Sequence, residues 1–476
     1  MFNKLIFIGL TILTTALSAQ ETWSLERCIT YAQEQNRTIK QSQVQVKGAK
    51  LTQKQDKMAV YPTVNASSNL GFNFGRSVNP ATYQFQSINT AYNSWGVSAN
   101  ATIYNGGRIR NQIRQSEVDV QAAQADLEQS AQTIAVQVAQ AYLQILLNAE
   151  QLKNAEKRIQ TTQEQLAQTE KRIKAGALPA NSRLDIQAQI ARDEQTIVTN
   201  QNNVELSYLN LKNLLELPID KDIKIETPSV IVPENANPDG YVFKILYNQA
   251  LSSQPQVHAG ELRIKSAEIG VKIAEAQLKP SLFANGNISS NYSNAILDFT
   301  KGKPITIAST QNVTIDGRNV PVTFYQASVT DVPKKSYFSQ FGDNLGQSIG
   351  FQLQIPIFDG FQRRNGVERQ KLNVESQTLS LERSKQQLRS DVQTSIANAK
   401  AARKQYQAAQ KTYDAVKSAF EATEKRLQTG AANAFEYTQA RNNLDNAERD
   451  ATVAKYDYLF KLKLVEFYEG KKMTLK

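Results

Sequence analysis

Two apolar patterns with different periods alternate along the chain, and each predicts a different element. From Arg108 to Lys174 there is neither proline nor glycine, and apolar residues recur at every seventh position. The repeat uses two registers: Ile113, Val120, Leu127 and Ile134, then Val138, Ile145, Leu152, Ile159, Leu166 and Ile173. A sustained seven-residue repeat is typical of a long helix that packs along a narrow seam against partner helices. We therefore predict one helix over 108–174.

Before this run the apolar period changes to two. Alternating apolar residues fall into two groups: Val64, Ala66, Leu70, Phe72 and Phe74, then Trp95, Val97, Ala99, Ala101 and Ile103. Asn, Ser, Thr and Gly occupy most of the positions between them. Each group covers about ten residues, the length of a tilted strand that crosses a bilayer. The pattern predicts a strand pair over 63–104, either in a membrane or as a half-exposed hairpin of a soluble sheet.

Proline and glycine mark the ends of further helices. A first helix is predicted from Trp23 to Val60, because Tyr61-Pro62 cannot continue it. Gly176 fits the position after a helix end, so a tight turn is expected before a return helix over 181–217, which Pro218 stops. Four prolines then fall within 218–240, which is predicted to be an irregular belt segment.

The same order of elements occurs twice. When the first half is aligned with the second, Ala32 corresponds to Ala250 at a shift of 218 residues, and Gly176 corresponds to Gly430 at a shift of 254 residues. The first repeat is predicted over 21–217 and the second over 241–476. The second contains a helix, a strand pair over 281–358 with a long loop over 290–345, a long helix over 361–428 and a return helix over 433–469. The 36-residue difference between the shifts falls in that loop.

Composition limits the possible functions. Residues 1–20 combine Lys4, an apolar core and small residues near Ser18, which predicts a secretory signal peptide. The formal charge of +11 is spread along the helices, so nucleic-acid binding is not expected. One cysteine and one histidine give no cluster for a metal, and no phosphate-binding loop or nucleophile motif occurs. We expect no enzyme activity and no cofactor.

Four strands in one chain leave open sheet edges, which lipid does not tolerate. Two chains would give eight strands and three would give twelve, and the alternation alone allows either number. The apolar faces fit lipid, and the Asn, Ser, Thr and Gln faces fit a wet lumen.

With these features in this order, the chain resembles the TolC-like outer-membrane efflux protein family over nearly its full mature length. The resemblance rests on the duplicated layout and on five short motifs: Tyr61-Pro62 and Lys279-Pro280 before strands, Asn105-Gly106-Gly107-Arg108 and Asp359-Gly360-Phe361 after them, and Leu214-Leu215-Glu216-Leu217-Pro218. The paired Arg172…Gly176 and Arg426…Gly430 add to it. It implies a mainly α fold with transmembrane β: a homotrimer whose twelve-stranded barrel in the outer membrane continues as a periplasmic α-helical barrel.

The resemblance also implies partners and sites. Such channels dock to a periplasmic adaptor and an inner-membrane transporter, through turns that match Gly176, Ala177 and Leu178, and Gly430, Ala431 and Ala432. The constriction falls on Phe435, Glu436 and Tyr437, where family members often have an aspartate. We therefore expect a passive exit duct for efflux or type I secretion. The alternative is a structural periplasmic coiled-coil or adaptor protein, although an adaptor has one helical hairpin flanked by soluble β domains.

Overall fold

The computed structural model describes residues 22–78, 84–87, 89–227 and 237–474. The predicted signal peptide over 1–20 lies outside these residues, as does 228–236 within the predicted belt segment. Two compact units can be distinguished. A helical unit falls within residues 1–51, 116–267 and 373–476, and a strand unit is formed by 52–115 and 268–372.

The elements of the first half follow in the order β1 (Thr22–Trp23), α1 (Leu25–Gln35), α2 (Arg37–Met58), β2 (Thr63–Asn73), β3 (Arg76–Val78), β4 (Phe85–Ser87), β5 (Thr90–Asn105), α3 (Arg108–Lys174), α4 (Ser182–Leu214) and β6 (Lys224–Ile225). The second half has a 3-10 turn (Pro238–Gly240), α5 (Phe243–Ser253), α6 (Pro255–Ala276), β7 (Ser281–Ser293), a 3-10 turn (Phe299–Lys301), β8 (Lys303–Ile315), β9 (Arg318–Thr330), α7 (Tyr337–Asp343), β10 (Gly346–Gln354), α8 (Gln362–Gln428) and α9 (Ala434–Tyr468). The long helices α3 and α8 have 67 residues each.

The strand unit contains an antiparallel sheet of four strands in the order β10-β7-β5-β2. Directly paired residues point to the same face, so the register assigns the faces. Ala66 pairs with Val97, and Val97 pairs with Ile288. One sheet face therefore carries most of the apolar residues of the four strands. The opposite face is mainly polar, with Phe283 of β7 and Tyr92 of β5 as exceptions. Among the described residues of the chain, β2 and β10 are the edges of this sheet.

A bulge interrupts this alternation near the end of β5. Thr102 pairs with Phe283, but the next residue of β7, Leu282, pairs with Tyr104. The extra residue, Ile103, has no partner in this register. The predicted apolar series along β5 therefore holds only as far as Ala101, because a bulge inserts one residue and changes the phase of the strand.

The first helix differs from its prediction, because it is two helices. Asn36 has an extended backbone (φ −60°, ψ 131°) between α1 and α2. Its side-chain oxygen accepts from the Thr38 amide at 2.9 Å, and its side-chain amide donates to the Leu214 carbonyl at 2.9 Å. The residue at the same place in the second repeat, Gln254, is also extended and precedes Pro255. Capping at Asn36 and proline at 255 thus break equivalent helices at one point of the repeat.

The segment predicted as a long polar loop over 290–345 has regular structure. Strands β8 and β9 form a hairpin around Asp316 and Gly317, which both have positive φ (46° and 73°), as two-residue hairpin turns require. Short helix α7 follows the hairpin. Long loops between strands can contain elements that an Asn-, Ser- and Thr-rich composition does not reveal.

One hydrophobic core of the helical unit lies where the short strands β1 and β6 pair in parallel, and a second includes Leu246 of α5, Leu388 of α8 and Val465 of α9. Tyr142 of α3 is 1% exposed, and its hydroxyl lies 2.6 Å from the Glu226 carbonyl oxygen and 3.2 Å from that of Trp23. Cys28 is fully buried in the same cluster. These contacts attach the chain after α4 to the middle of α3.

Among the described residues, no helix is both long enough and apolar enough to span a bilayer.

Candidate functional site

The two long helices end in the same backbone motif. At the end of α3, the Ala177 amide donates to the Arg172 carbonyl at 2.9 Å and the Gly176 amide to that of Ile173 at 2.9 Å. At the end of α8, the Ala431 amide donates to the Arg426 carbonyl at 2.7 Å and the Gly430 amide to that of Leu427 at 3.1 Å. Both glycines are left-handed (φ +73° and +79°). Each turn is a Schellman motif, in which glycine avoids the strain of a Cβ.

The turns lie next to each other. The guanidinium of Arg172 reaches the Leu427 carbonyl oxygen at 3.5 Å, and that of Arg426 donates to the Ala431 carbonyl at 3.0 Å. Ala177 and Ala431 are exposed, while Leu178 and Ala432 are half-buried. The six residues predicted to dock an adaptor thus belong to two adjacent turns, with small apolar side chains at the surface.

The predicted constriction residues differ in their surroundings. Phe435 is 77% exposed, in the first turn of α9. Glu436 is the third residue of α9 and pairs with the N-cap residue Asn433: its amide donates to Asn433 Oδ1 at 2.9 Å, and its Oε1 accepts from Asn433 Nδ2 at 3.0 Å. Its Oε2 lies 3.2 Å from Arg426. The carboxylate is therefore held against the turn within the chain.

Tyr437 lies on the inner side of α9. It is 5% exposed and packs against Phe420 of α8, with ring centroids 5.3 Å apart. Burial raises the pKa of its hydroxyl, while nearby Arg441 lowers it. The sequence analysis placed Tyr437 in the constriction together with its neighbours Phe435 and Glu436. Successive residues of a helix are rotated by about 100°, so the Tyr437 side chain points to the packed face of α9.

A buried ionic cluster, which the sequence pattern did not predict, lies where α3, α4 and α9 meet. Asp193 is 1% exposed; its carboxylate lies 3.0 Å from Arg158 Nε and accepts from Thr162 at 2.8 Å and Gln189 at 3.0 Å. Arg158 also lies 3.4 Å from Asp445, which lies 3.3 Å from Arg441 Nε. We call these residues, Arg158, Thr162, Gln189, Asp193, Arg441 and Asp445, the ionic cluster. The only sequence signal was aspartate within helices otherwise rich in Gln and Asn.

In the ionic cluster, burial and ion pairing shift the pKa of Asp445 in opposite directions. Burial raises the pKa of Asp445, and the nearby Arg158 and Arg441 guanidinium groups lower it. Two arginines face two aspartates, so the cluster can remain ionised without excess charge. Beside it lies a polar groove of about 700 Å³ lined largely by amide and charged side chains, including Gln151, Asn154, Asn200, Asn442 and Asn446. Such a groove suits water and polar solutes better than apolar ligands.

Within the described part of the chain, no group of three or more His, Cys, Asp or Glu side chains is placed to bind a metal ion.

The sheet of the strand unit presents large apolar side chains to its surroundings. On β10 alone, Ile349 is 83%, Phe351 71% and Leu353 61% exposed. Val64, Leu70 and Phe72 of β2 are also exposed on this face. A soluble sheet normally covers such a continuous apolar surface, whereas lipid is its natural surrounding in a membrane.

Comparisons with known proteins agree with this arrangement. The family model described as outer membrane efflux protein matches residues 28–216 and 246–463. The fold is similar to the CmeC outer membrane channel of Campylobacter jejuni (TM-score 0.74, 17% identity, covering 95% of this chain and 86% of that one). It is also similar to the outer membrane protein VceC of Vibrio cholerae (TM-score 0.70, 15% identity, covering 94% and 95%). The open state of the MtrE outer membrane channel of Neisseria gonorrhoeae gives TM-score 0.68 and 18% identity, covering 95% and 89%. No curated protein sequence matches.

A duplicated chain with paired lipid-facing strands and long helical hairpins defines the subunit of an outer-membrane channel. The chain belongs to the outer membrane efflux protein family. Its fold class is that of the family: three copies form a barrel of twelve strands in the outer membrane, continued by a periplasmic barrel of helices. It is an exit duct of a tripartite export system and not an enzyme, as the sequence predicted. The alternative, a periplasmic structural or adaptor protein, has no support.

Proposed function

We propose that the paired turns at Gly176 and Gly430 form the end of the channel that receives a periplasmic adaptor, which connects it to an inner-membrane transporter. One observation carries this proposal: two Schellman turns from separate hairpins lie side by side, linked by Arg172 and Leu427. Ala177, Leu178, Ala431 and Ala432 offer small apolar side chains there. Such a surface can accept the apolar face of a helical hairpin, because the exposed Ala177 and Ala431 side chains are short.

We propose further that Phe435 and Glu436 narrow the resting channel, with Tyr437 supporting them from the packed side of α9. Three chains would bring three Phe435 rings and three Glu436 carboxylates near one axis. The Arg426 partner of each Glu436 reduces the negative charge of that ring. Cation preference therefore depends on both residues and not on the carboxylate alone.

Photo-crosslinking in cells tests the docking end. A photoreactive amino acid at position 177 or 431 should give a covalent product with the adaptor that disappears when the adaptor gene is deleted. Position 44 is the matched control, because Val44 is 64% exposed on α2 and lies outside the turns. Equal yields at all three positions, or products that persist without the adaptor, would place docking elsewhere.

Single-channel recording in planar bilayers tests the constriction. Glu436→Ala should lower the preference for cations, and Phe435→Ala should raise the resting conductance. Glu375→Ala, which removes an exposed carboxylate from α8, should change neither. Unchanged selectivity and conductance in both test variants would show that the narrowest point lies at other residues.

A further inference from the structure

A cleft of about 370 Å³ lies between helix α7 and the sheet of the strand unit. Its lining is mainly apolar: Ala66, Trp95, Val97, Ile288, Phe341 and Leu345. The remaining side chains are four serines, Ser67, Ser68, Ser289 and Ser290. The cleft is unrelated to the turns and to the ionic cluster, which belong to the helical unit.

Helix α7 is fixed in place by its polar residues, so the cleft is a built feature. Gln340 is 1% exposed; its side-chain amide donates to the carbonyls of Ser293 (2.9 Å) and Lys335 (2.8 Å) and accepts from the Ser293 amide (2.9 Å). The Tyr337 hydroxyl accepts from Trp95 Nε1 at 2.8 Å and donates to Asn93 Oδ1 at 2.6 Å. These bonds hold the helix across β5 and β7, and the Phe341 side chain lines the cleft.

The strand register places α7 on the apolar face of the sheet. Trp95 pairs directly with Ser68 on one side and Ser290 on the other, and Ser290 Oγ donates to the Phe341 carbonyl at 2.7 Å. Two residues along, Val97 pairs with Ile288 on the same face. This is the face whose exposed residues contact lipid in an outer-membrane barrel. The cleft therefore opens within the lipid-facing surface and not toward the lumen.

The position of the cleft along the strands indicates which leaflet of the membrane it faces. The β5 end at Asn105 leads into the periplasmic helix α3, and Trp95 lies ten residues before it. The cleft is thus in the half of the sheet away from the periplasm. Phe338 of α7 is 86% exposed, and Leu345 is 47% exposed at the cleft. Trp95, which lines the cleft, and Tyr337, which bonds to it, are residue types enriched at the boundary between acyl chains and headgroups.

We propose that this cleft binds an acyl chain of a lipid in the outer leaflet. The volume is at the small end of the range for ligand sites, which fits one chain and not a whole lipid. The lining is apolar, so water would gain few hydrogen bonds there. Because the cleft is continuous with the lipid-facing surface, an acyl chain can enter without crossing a polar barrier.

Native mass spectrometry of the full-length trimer, extracted in mild detergent, tests the proposal. We expect up to three retained lipids per trimer, one for each chain. Ala66→Phe fills the cleft from β2 and should lower lipid occupancy at least ten-fold. Ala284→Phe adds the same ring to the same sheet face outside the cleft and should leave occupancy unchanged. Ile288→Phe is a second cleft-filling variant in case Ala66→Phe does not assemble.

The proposal would be overturned if the trimer retained no lipid. Equal loss of lipid from Ala66→Phe and Ala284→Phe would also overturn it. Trp95 gives an independent measurement in a bilayer, because Trp23→Phe leaves it as the single tryptophan. Lipids with brominated acyl chains should quench Trp95, and Ala66→Phe should reduce that quenching; equal quenching in both proteins would contradict acyl-chain binding in the cleft. The channel function does not depend on this lipid, so its failure would leave the family assignment intact.

Discussion

Asp193 is the residue on which the ionic cluster depends most, since it accepts from Thr162 and Gln189 and pairs with Arg158 while almost wholly buried. Asp193→Ala leaves Arg158 with only the more distant Asp445 and removes the acceptor of Thr162 and Gln189. Breaking a buried ion pair from one side costs about 3–5 kcal/mol. We expect a clearly lower midpoint of thermal unfolding.

The control is Asp450→Ala on α9, whose carboxylate is 66% exposed beside Arg449. An exposed ion pair contributes less than about 1 kcal/mol, so this variant should melt close to the unsubstituted protein. Equal melting of the two aspartate variants would mean that the ionic cluster adds nothing to stability.

Cys28 gives a pH-dependent prediction. Burial raises the pKa of its thiol to about 12, partly offset by Arg27. The folded protein therefore keeps the proton at pH values where the unfolded chain has lost it, so stability should fall as pH rises from about 9 toward 12.

The same shift predicts that a thiol reagent at pH 8 leaves the folded trimer unmodified and reacts after denaturation. Ala177→Cys, exposed at the turn, should react at once in the folded trimer. Rapid modification of Cys28 in the native protein would contradict the burial of this residue.

At the scale of single residues, sequence alone could not group the site correctly. Seven-residue spacing identifies apolar seams, but Thr162, which donates to Asp193, is 31 residues away on α3, and Arg158 connects Asp193 to Asp445 on α9. No local pattern joins these residues. Asn433 followed by Glu436 three residues later is a sequence signal for a helix start, but the Arg426 partner of Glu436 depends on the fold of the turn.

At the scale of elements, replacing glycine by alanine should change stability in opposite directions at a helix end and inside a helix. Gly176→Ala places a Cβ at φ +73° and should cost about 1 kcal/mol. Gly48→Ala lies inside α2 with no atom within 4 Å of the new Cβ, and it should stabilise by about 0.5–1 kcal/mol. Thermal unfolding of both variants measures the difference, and a destabilised Gly48→Ala would contradict the helical assignment.

Strand β10 allows a test of its two faces with adjacent residues. Phe351→Lys puts a charge on the lipid-facing side and should cost about 2–4 kcal/mol near the bilayer midplane. Gln352→Lys puts the same charge on the polar face, opposite Phe283, and should be far milder. A refolding assay into lipid bilayers measures both. Equal tolerance would mean that the strand is shifted by one residue.

The fold class could be predicted from the sequence because apolar residues recur with periods of seven and two, and both periods occur in each half of the chain. The helix α3 covers the same residues as the run without proline or glycine. Features set by single contacts did not follow. The break at Asn36 depends on its bond to Leu214, and the Ile103 bulge depends on β7. Alternation cannot show either, because it records the average environment of a strand or helix and not its exceptions.

For the whole molecule, the unpaired edges β2 and β10 determine assembly. A closed barrel requires β10 of one chain to pair with β2 of the next. Cysteine pairs that combine position 64, 66 or 68 with 349, 351 or 353 should therefore form disulfides between chains, giving dimers and trimers in denaturing gels under oxidising conditions. The buried Cys28 should not interfere. Products that remain monomeric for every pair would contradict closure through these edges.

The duplicated layout has a consequence for stoichiometry. One chain presents two turns of the same backbone shape but different composition, Gly-Ala-Leu-Pro after α3 and Gly-Ala-Ala-Asn after α8. A three-fold assembly therefore ends in six similar turns of two alternating kinds. A partner that recognises the shared backbone shape could occupy six places around the rim, whereas one that requires Leu178 would occupy three. The ratio of bound partner to channel thus reports whether shape or side chain governs recognition.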